Sequence, residues 1–296
     1  MRLGLCCKFL DGPIRFREAA ASAIGRLPRS EAESRLSAVC LSNAAALSDA
    51  IRYCRRAGFG GFRVSSRLLP LRTHPEAGYD PASLPGGGRI VSSLRECGGL
   101  ARRLGIRLTL HPDQFVVLSS TRAEVVRNSV LELEHQGEMA EWIGADVINI
   151  HGGGGYGDKP SALGRFAESV ARLSERVRSR LTVENDDRVY TVADLLPLCR
   201  DAGVPLVYDV HHHRCHGDGL TVREATRLAA DTWGGREPVV HVSSPREGWG
   251  GPGRRRHHDY IDPDDFPREW RGMPATVEVE AKAKERAVAR LLGFLG

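Results

Sequence analysis

Lysine is almost missing from this chain: Lys8, Lys159, Lys282 and Lys284 are the only ones among 42 basic residues. Arginine carries the positive charge instead, and a net charge of +5 is too mild by itself to mark a nucleic-acid binder. Genome composition explains the bulk arginine excess; its local placement says more. No apolar run approaches the ~20 residues of a membrane helix, which excludes a helical span. The N-terminus reaches Lys8 before a signal-peptide apolar region can form, so a cytoplasmic location is expected. The seven cysteines form no Cys-x-x-Cys pair, which argues against a disulfide framework and for reduced thiols. Helical repeats and low-complexity tails are also lacking.

What is present is alternation. Eight short runs rich in Val, Ile or Leu read as strands buried on both faces: Arg2–Cys7, Phe59–Ser66, Ile106–Pro112, Asp146–Gly152, Arg180–Asp186, Pro205–His211, Pro238–Ser244 and Ala275–Ala281. Helical periodicity fills Leu36–Arg56, Arg89–Leu104, Ala123–Ile143, Ser161–Val177, Val192–Asp201, Val222–Ala230 and Lys284–Leu295. Eight strand-then-helix units predict an α/β fold, a (β/α)₈ TIM barrel with its active site at the C-terminal face of the strands. Such a barrel uses ~250 residues, so residues 1–296 are read as one catalytic domain. An open doubly wound sheet is the weaker alternative, because only closure brings all the strand ends together. Asp11–Arg35 reads as an elaborated first loop, and further insertions follow strands at Arg67–Gly88, Gly152–Lys159 and Glu247–Pro263.

Six consecutive strands each end on a metal-ligand type of residue: His111, His151, Glu184, Asp209, His241 and Glu280. His212 and His257 lie close by in sequence. Eight nitrogen and oxygen donors are too many for one tetrahedral ion and suit about two or three divalent ions sharing a carboxylate. Mixed histidine and carboxylate donors favour Mn²⁺, Zn²⁺ or Fe²⁺ over an all-oxygen cage. Clustered ions serve metal-assisted hydrolysis, above all of a phosphodiester. Of Glu278 and Glu280, which share a strand face, Glu280 is preferred as the ligand because it is nearer the strand end. Alternation lets at most two of His211, His212 and His213 face the site. Asp186 and Asp187 are given no catalytic role. Gly152–Gly155 fits either a tight turn or close approach of a phosphate backbone, and Cys215 is weighed as an extra ligand and set aside.

Seven segments resemble, in order, the UV damage endonuclease family, metal-dependent DNA-repair nucleases of the endonuclease IV-like barrel superfamily. They are His111-Pro112-Asp113-Gln114-Phe115, Ile150-His151-Gly152-Gly153 through Lys159, Val183-Glu184-Asn185-Asp186, Tyr208-Asp209 with His211-His212, Val240-His241-Val242-Ser243-Ser244, His257-His258-Asp259-Tyr260 and Val279-Glu280-Ala281-Lys282. The resemblance implies incision of damaged double-stranded DNA immediately 5′ of UV photoproducts, including cyclobutane dimers and 6-4 photoproducts, and of abasic sites. It implies up to three divalent ions, with Mn²⁺ favoured and Zn²⁺ or Mg²⁺ as alternatives. His111, His151 and Glu184 would hold one ion; Glu184 would bridge to a second, completed by Asp209, His241 and Glu280; His212 and His257 would hold the third. Glu184 and His74 are assigned catalytic roles, His74 beside the metals rather than on them.

Gln114-Phe115 matches a family Gln-Tyr pair that probes the duplex at the lesion, here without the tyrosine hydroxyl. Val239 stands where some members carry a lysine, and Leu5 where a tyrosine is common. Lys159, Arg254, Arg255, Arg256 and Lys282 are assigned to DNA phosphates. No membrane partner is expected, and an open barrel mouth that admits a duplex favours a monomer. The competing readings are a metal-dependent sugar isomerase or epimerase of similar barrel fold and a non-catalytic damage-binding protein.

Overall fold

The structure, a computed structural model, describes residues 1–296. Eight parallel strands close on themselves: β1 (Arg2–Cys6), β2 (Gly61–Ser65), β3 (Arg107–His111), β4 (Ile148–His151), β5 (Leu181–Glu184), β6 (Leu206–Asp209), β7 (Val239–Val242) and β8 (Thr276–Val279). β8 pairs back onto β1, with Val277 opposite Leu3 and Val279 opposite Leu5. The β5 to β8 residues are all buried, as expected of strands covered on both faces.

Helices wrap the outside. In chain order they are α1 (Ala21–Ile24), α2 (Arg29–Arg56), α3 (Gly87–Leu104), α4 (Ala123–Ile143), α5 (Lys159–Ala171), α6 (Glu175–Arg178), α7 (Val192–Ala202), α8 (Val210–Cys215), α9 (Val222–Asp231) and α10 (Glu285–Leu295). Gly105 and Gly144 end α3 and α4 at φ of 69° and 70°, a left-handed turn that a side chain would strain, and so feed the chain back into a strand. No helix is long and apolar enough to cross a membrane.

Four local expectations change. The seventh unit lacks an α-helix: two 3₁₀ turns, Pro263–Asp265 and Arg268–Trp270, follow β7, because prolines punctuate the segment. The expected helix Ser161–Val177 breaks after Ala171, where the Ser174 amide and hydroxyl both donate to Glu134 at 2.8 and 2.6 Å. Asp11–Arg35 contains α1 and the first turns of α2, which begins at Arg29, not Leu36. His211–His213 lie on a helical turn, not a strand extension, because the Asp209 carboxylate accepts the His212 amide at 2.8 Å and caps α8.

Candidate metal centre

The strand register decides which donors meet. His151 pairs with Glu184 across β4 and β5, and Asp209 with His241 across β6 and β7, so adjacent strand ends deliver them to one mouth. Three overlapping groups result: His111, His151 and Glu184; Glu184, Asp209 and His212; Asp209, His241 and Glu280. Within each, one donor atom per residue lies within 4.8 Å of the others. Glu184 and Asp209 each belong to two groups. His257 falls outside all three and faces the centre through Glu280, its Nδ1 lying 3.6 Å from Glu280 Oε2.

Glu184 is the hub. Its Oε2 lies 3.2 Å from His111 Nε2, and its Oε1 lies 3.1 Å from His241 Nδ1 and 3.3 Å from His212 Nδ1. The Asn149 amide donates to Oε2 at 2.6 Å and fixes the carboxylate's orientation. Burial would push the Glu184 pKa up, but the His241 and His151 rings, with hydrogen bonds from His111 and His212, hold it well below the carboxylate range. Burial likewise opposes protonation of His212, yet Asp209 and Glu184 raise its pKa to about 10. For His151 burial prevails, and its pKa is lowered.

Do these residues fit metal ions? Asp209 Oδ2, His151 Nδ1 and both ring nitrogens of His241 are buried without a hydrogen-bond partner of acceptable geometry. Carboxylate oxygens nevertheless lie 3.0 to 3.4 Å from the His241 nitrogens. Buried atoms gathered this closely and left without a partner are costly unless something else satisfies them, and divalent ions would do so. The residues fit the group.

Beneath the centre lies a residue that sequence reading passed over. Arg63, inside β2, sends its guanidinium across the barrel to Glu278 at 3.2 Å and to Glu280 at 2.5 Å. Glu278 also accepts from the Thr109 hydroxyl and lies 3.0 Å from His241 Nε2. In this layering Glu280, the expected ligand, joins a donor group, and Glu278 anchors the arginine. Burial would raise the Glu278 pKa, but Arg63 and then His241 lower it to about 2. A charged residue in an otherwise apolar strand was the available signal. Removing Arg63 would leave two buried carboxylates without their counter-charge, so Arg63→Leu is expected to destabilise by about 3–5 kcal/mol in urea unfolding. A loss below about 1 kcal/mol would show that the ion pairs are dispensable.

Asn185 was also missed. It exchanges hydrogen bonds with the Asp209 backbone, 2.9 Å each way, and its carbonyl lies 3.0 Å from His212 Nδ1. His211 and His213 are buried. His213 turns away to the Tyr208 hydroxyl at 2.6 Å and to Asp218 at 3.2 Å, so His212 faces the centre.

Other expected residues divide. Gln114 and Phe115 are exposed beyond β3, and Phe115, 75% exposed, is no core residue of the mouth. Arg254, Arg255 and Arg256 are exposed and, with Arg188, line an open cleft of about 320 Å³ with no hydrophobic lining residue. Arg255 is partly neutralised by Asp187 at 3.3 Å. Lys282 is exposed. Lys159 is not a free cation: its Nζ lies 2.7 Å from Asp194 at the start of α7. His74 is not brought to the centre. Its Nδ1 accepts the Glu76 and Ala77 amides in a surface turn, and it makes no hydrogen bond or ion pair with the eight donors. Gly152 is set by packing, since a Cβ there would meet the Tyr190 ring at 2.6 Å. Leu5 and Val239 are buried and bring no polar group to the centre.

The fold and the centre define a class: a (β/α)₈ barrel whose strand ends gather histidines and carboxylates able to hold metal ions. The chain belongs to the UV-endonuclease UvdE family, whose model matches residues 1–295. It is 36% identical over 302 residues to the UV DNA damage endonuclease of Deinococcus radiodurans, covering 98% of this chain and 94% of that one. The crystal structure of SacUVDE superposes with a TM-score of 0.88 at 27% identity, over 100% of this chain and 98% of that one. The D-psicose 3-epimerase of Clostridium cellulolyticum shares the fold at a TM-score of 0.62 and 14% identity, over 100% and 98% of the two chains.

Proposed function

We propose that residues 1–296 act as one catalytic unit, a metal-dependent endonuclease that cuts damaged duplex DNA immediately 5′ of UV photoproducts and at abasic sites. The observation that carries this reading is the set of overlapping donor groups at the barrel mouth in a chain matched almost end to end by the UV-endonuclease family. His111, His151 and Glu184 would hold one ion; Glu184, Asp209, His241 and Glu280 a second; and His212 with His257 a third, with His212 near enough to share Glu184 and Asp209. Bound divalent ions, Mn²⁺ in the first instance, supply charge stabilisation to the phosphodiester and acidify a water.

The chain's own residues supply the rest. Asn149 and Asn185 orient Glu184 and Asp209, and Arg63 keeps Glu280 ionised and in place. Gln114 and Phe115 project where they can enter a base stack weakened by damage. Arg188 and Arg254–Arg256 offer a polar basic cleft to the backbone. Replacing Arg254, Arg255 and Arg256 together by alanine is expected to lower the slope of log affinity against log salt by about 2 to 3, since each phosphate contact contributes ~0.9. The Asp187 pairing of Arg255 favours the lower figure. An unchanged slope would remove this loop from the DNA interface.

A sugar epimerase shares the barrel, but it has no use for an arginine cleft or an exposed phenylalanine at the mouth. The two readings are separated by nicking of UV-irradiated against untreated supercoiled plasmid, with ketohexose epimerisation followed in parallel by NMR. Nicking of the irradiated plasmid alone is expected; sugar turnover without nicking would replace the proposal.

A further inference from the structure

Of the three proposed ions, the third has the thinnest protein shell. Of its two ligands, His212 joins a converging donor group and His257 joins none. His257 arrives on the loop after β7, residues 243–262, whose middle holds Gly248, Gly250, Gly251 and Gly253. Glycines leave such a segment many conformations, so contacts from elsewhere must fix it.

Two sets of contacts do so. At the base of the loop the Arg246 amide donates to the Arg256 carbonyl at 2.7 Å and the His258 amide to the Ser244 carbonyl at 2.8 Å. Pro245 and His257 pair there in a short antiparallel bridge. These bonds fix the His257 backbone and leave its ring to whatever packs on it. At the tip stands Trp249, an exposed aromatic held by its polar edge: Nε1 donates to Asp265 Oδ1 at 2.7 Å. Arg214, on α8, donates to the Asp265 carbonyl at 2.8 Å and to Oδ1 at 3.2 Å, and its guanidinium lies 5.7 Å from the Trp249 ring centre. Asp265 and Arg214 therefore tie the loop tip to the helix that carries His212.

Between Trp249 and His257 lies His211. Its ring centre is 5.2 Å from that of Trp249 and 5.3 Å from that of His257, with the ring planes inclined by 42° and 75°. The residue is fully buried, and neither ring nitrogen has a hydrogen-bond partner. No directional bond sets the orientation of this ring, so the aromatic rings packed on it do. The contacts run in one chain: Asp265 and Arg214 seat Trp249, Trp249 packs on His211, and His211 packs on His257.

We propose that Trp249 is a positioning residue for the third ion, holding His211 against the His257 ring and so setting the affinity of the ion that His212 and His257 would share. The proposal deepens the endonuclease reading above and rests on its third-ion assignment.

The test is equilibrium dialysis of the full chain against graded Mn²⁺, with bound metal counted by mass spectrometry. His257→Ala is expected to lose one ion and keep the others. Trp249→Ala should weaken that same ion about tenfold and Trp249→Phe, which keeps a ring but loses the indole donor, about threefold, as for loss of a contact supporting a metal ligand. The other ions should bind as in wild type. The double variant should bind metal as His257→Ala does, since residues that act through one another do not add. Circular dichroism checks the fold, and if Trp249→Ala does not fold, Trp249→Phe decides alone. Wild-type affinity in the Trp249 variants, a loss spread evenly over all ions, or a loss that adds in full to that of His257→Ala would overturn the role of Trp249 alone. A His257→Ala variant that keeps every ion would overturn the third-ion assignment and the proposal with it.

Discussion

Glu184→Gln is expected to lower incision of a dimer-containing duplex about 10³-fold while leaving affinity for that duplex within about threefold. The side chain keeps its shape, but the charge that draws His111, His212 and His241 around it is gone. Because Glu184 belongs to two of the three donor groups, its loss should lower bound metal by more than one ion's share. Phe115 and Arg254–Arg256, proposed above to contact DNA, lie on other loops and should still bind. Single-turnover incision, filter binding and metal analysis of the same preparation check this. Equal loss of binding and cutting, together with a fall in melting temperature, would mean that Glu184 mainly holds the fold.

Chelation should have the larger effect on activity: incision lost to below detection with EDTA and restored by Mn²⁺. It should also lower the melting temperature by about 5 °C, because ions that bind only the folded protein stabilise it by mass action. The size of that drop should depend on pH in a defined direction. His212 is raised to about 10 by Asp209 and Glu184 against the opposing effect of burial, from an ordinary value near ~6.5. In the metal-free protein its proton contributes stability that is complete below pH ~6.5 and fades as pH rises toward 10. His241 is shifted in the same direction, burial again being overcome by Glu184. Metal binding must displace these protons, so it strengthens over the same range. The gap in melting temperature between loaded and chelated protein should therefore widen from pH 6.5 to pH 9. A gap that narrows would show that these histidines are not the residues that exchange protons for metal.

The strands were legible because their chemistry recurs: short, mainly apolar runs, six of which lead into a donor. Each of the eight expected runs contains an observed strand, and α4 begins and ends at the expected residues. The first turns of α2 were not legible because they are largely exposed and carry no apolar stripe; the Arg29–Glu33 pair along the helix is the visible local support. The helical turn at His211–His213 was hidden because its cap, Asp209, also reads as a strand-end ligand. Most of the donor cluster was legible because donors at strand ends must converge in a closed barrel. The residues that hold those donors were not, because Arg63, Glu278, Asn149 and Asn185 reach them across strands, and only the register reveals such contacts. Lys159 and His74 lie against local partners for the converse reason: a motif position fixes the backbone, but not which neighbour the side chain meets.

A lesion-directed, metal-dependent cut is checked by mapping, on a denaturing gel, the products from a labelled duplex carrying one cyclobutane dimer, incubated with protein and Mn²⁺ beside an undamaged control. A single cut immediately 5′ of the dimer, absent from the control and abolished by EDTA, is the predicted result. No cut from folded, metal-loaded protein on dimer, 6-4 or abasic duplexes with Mn²⁺, Mg²⁺ or Zn²⁺ would contradict it.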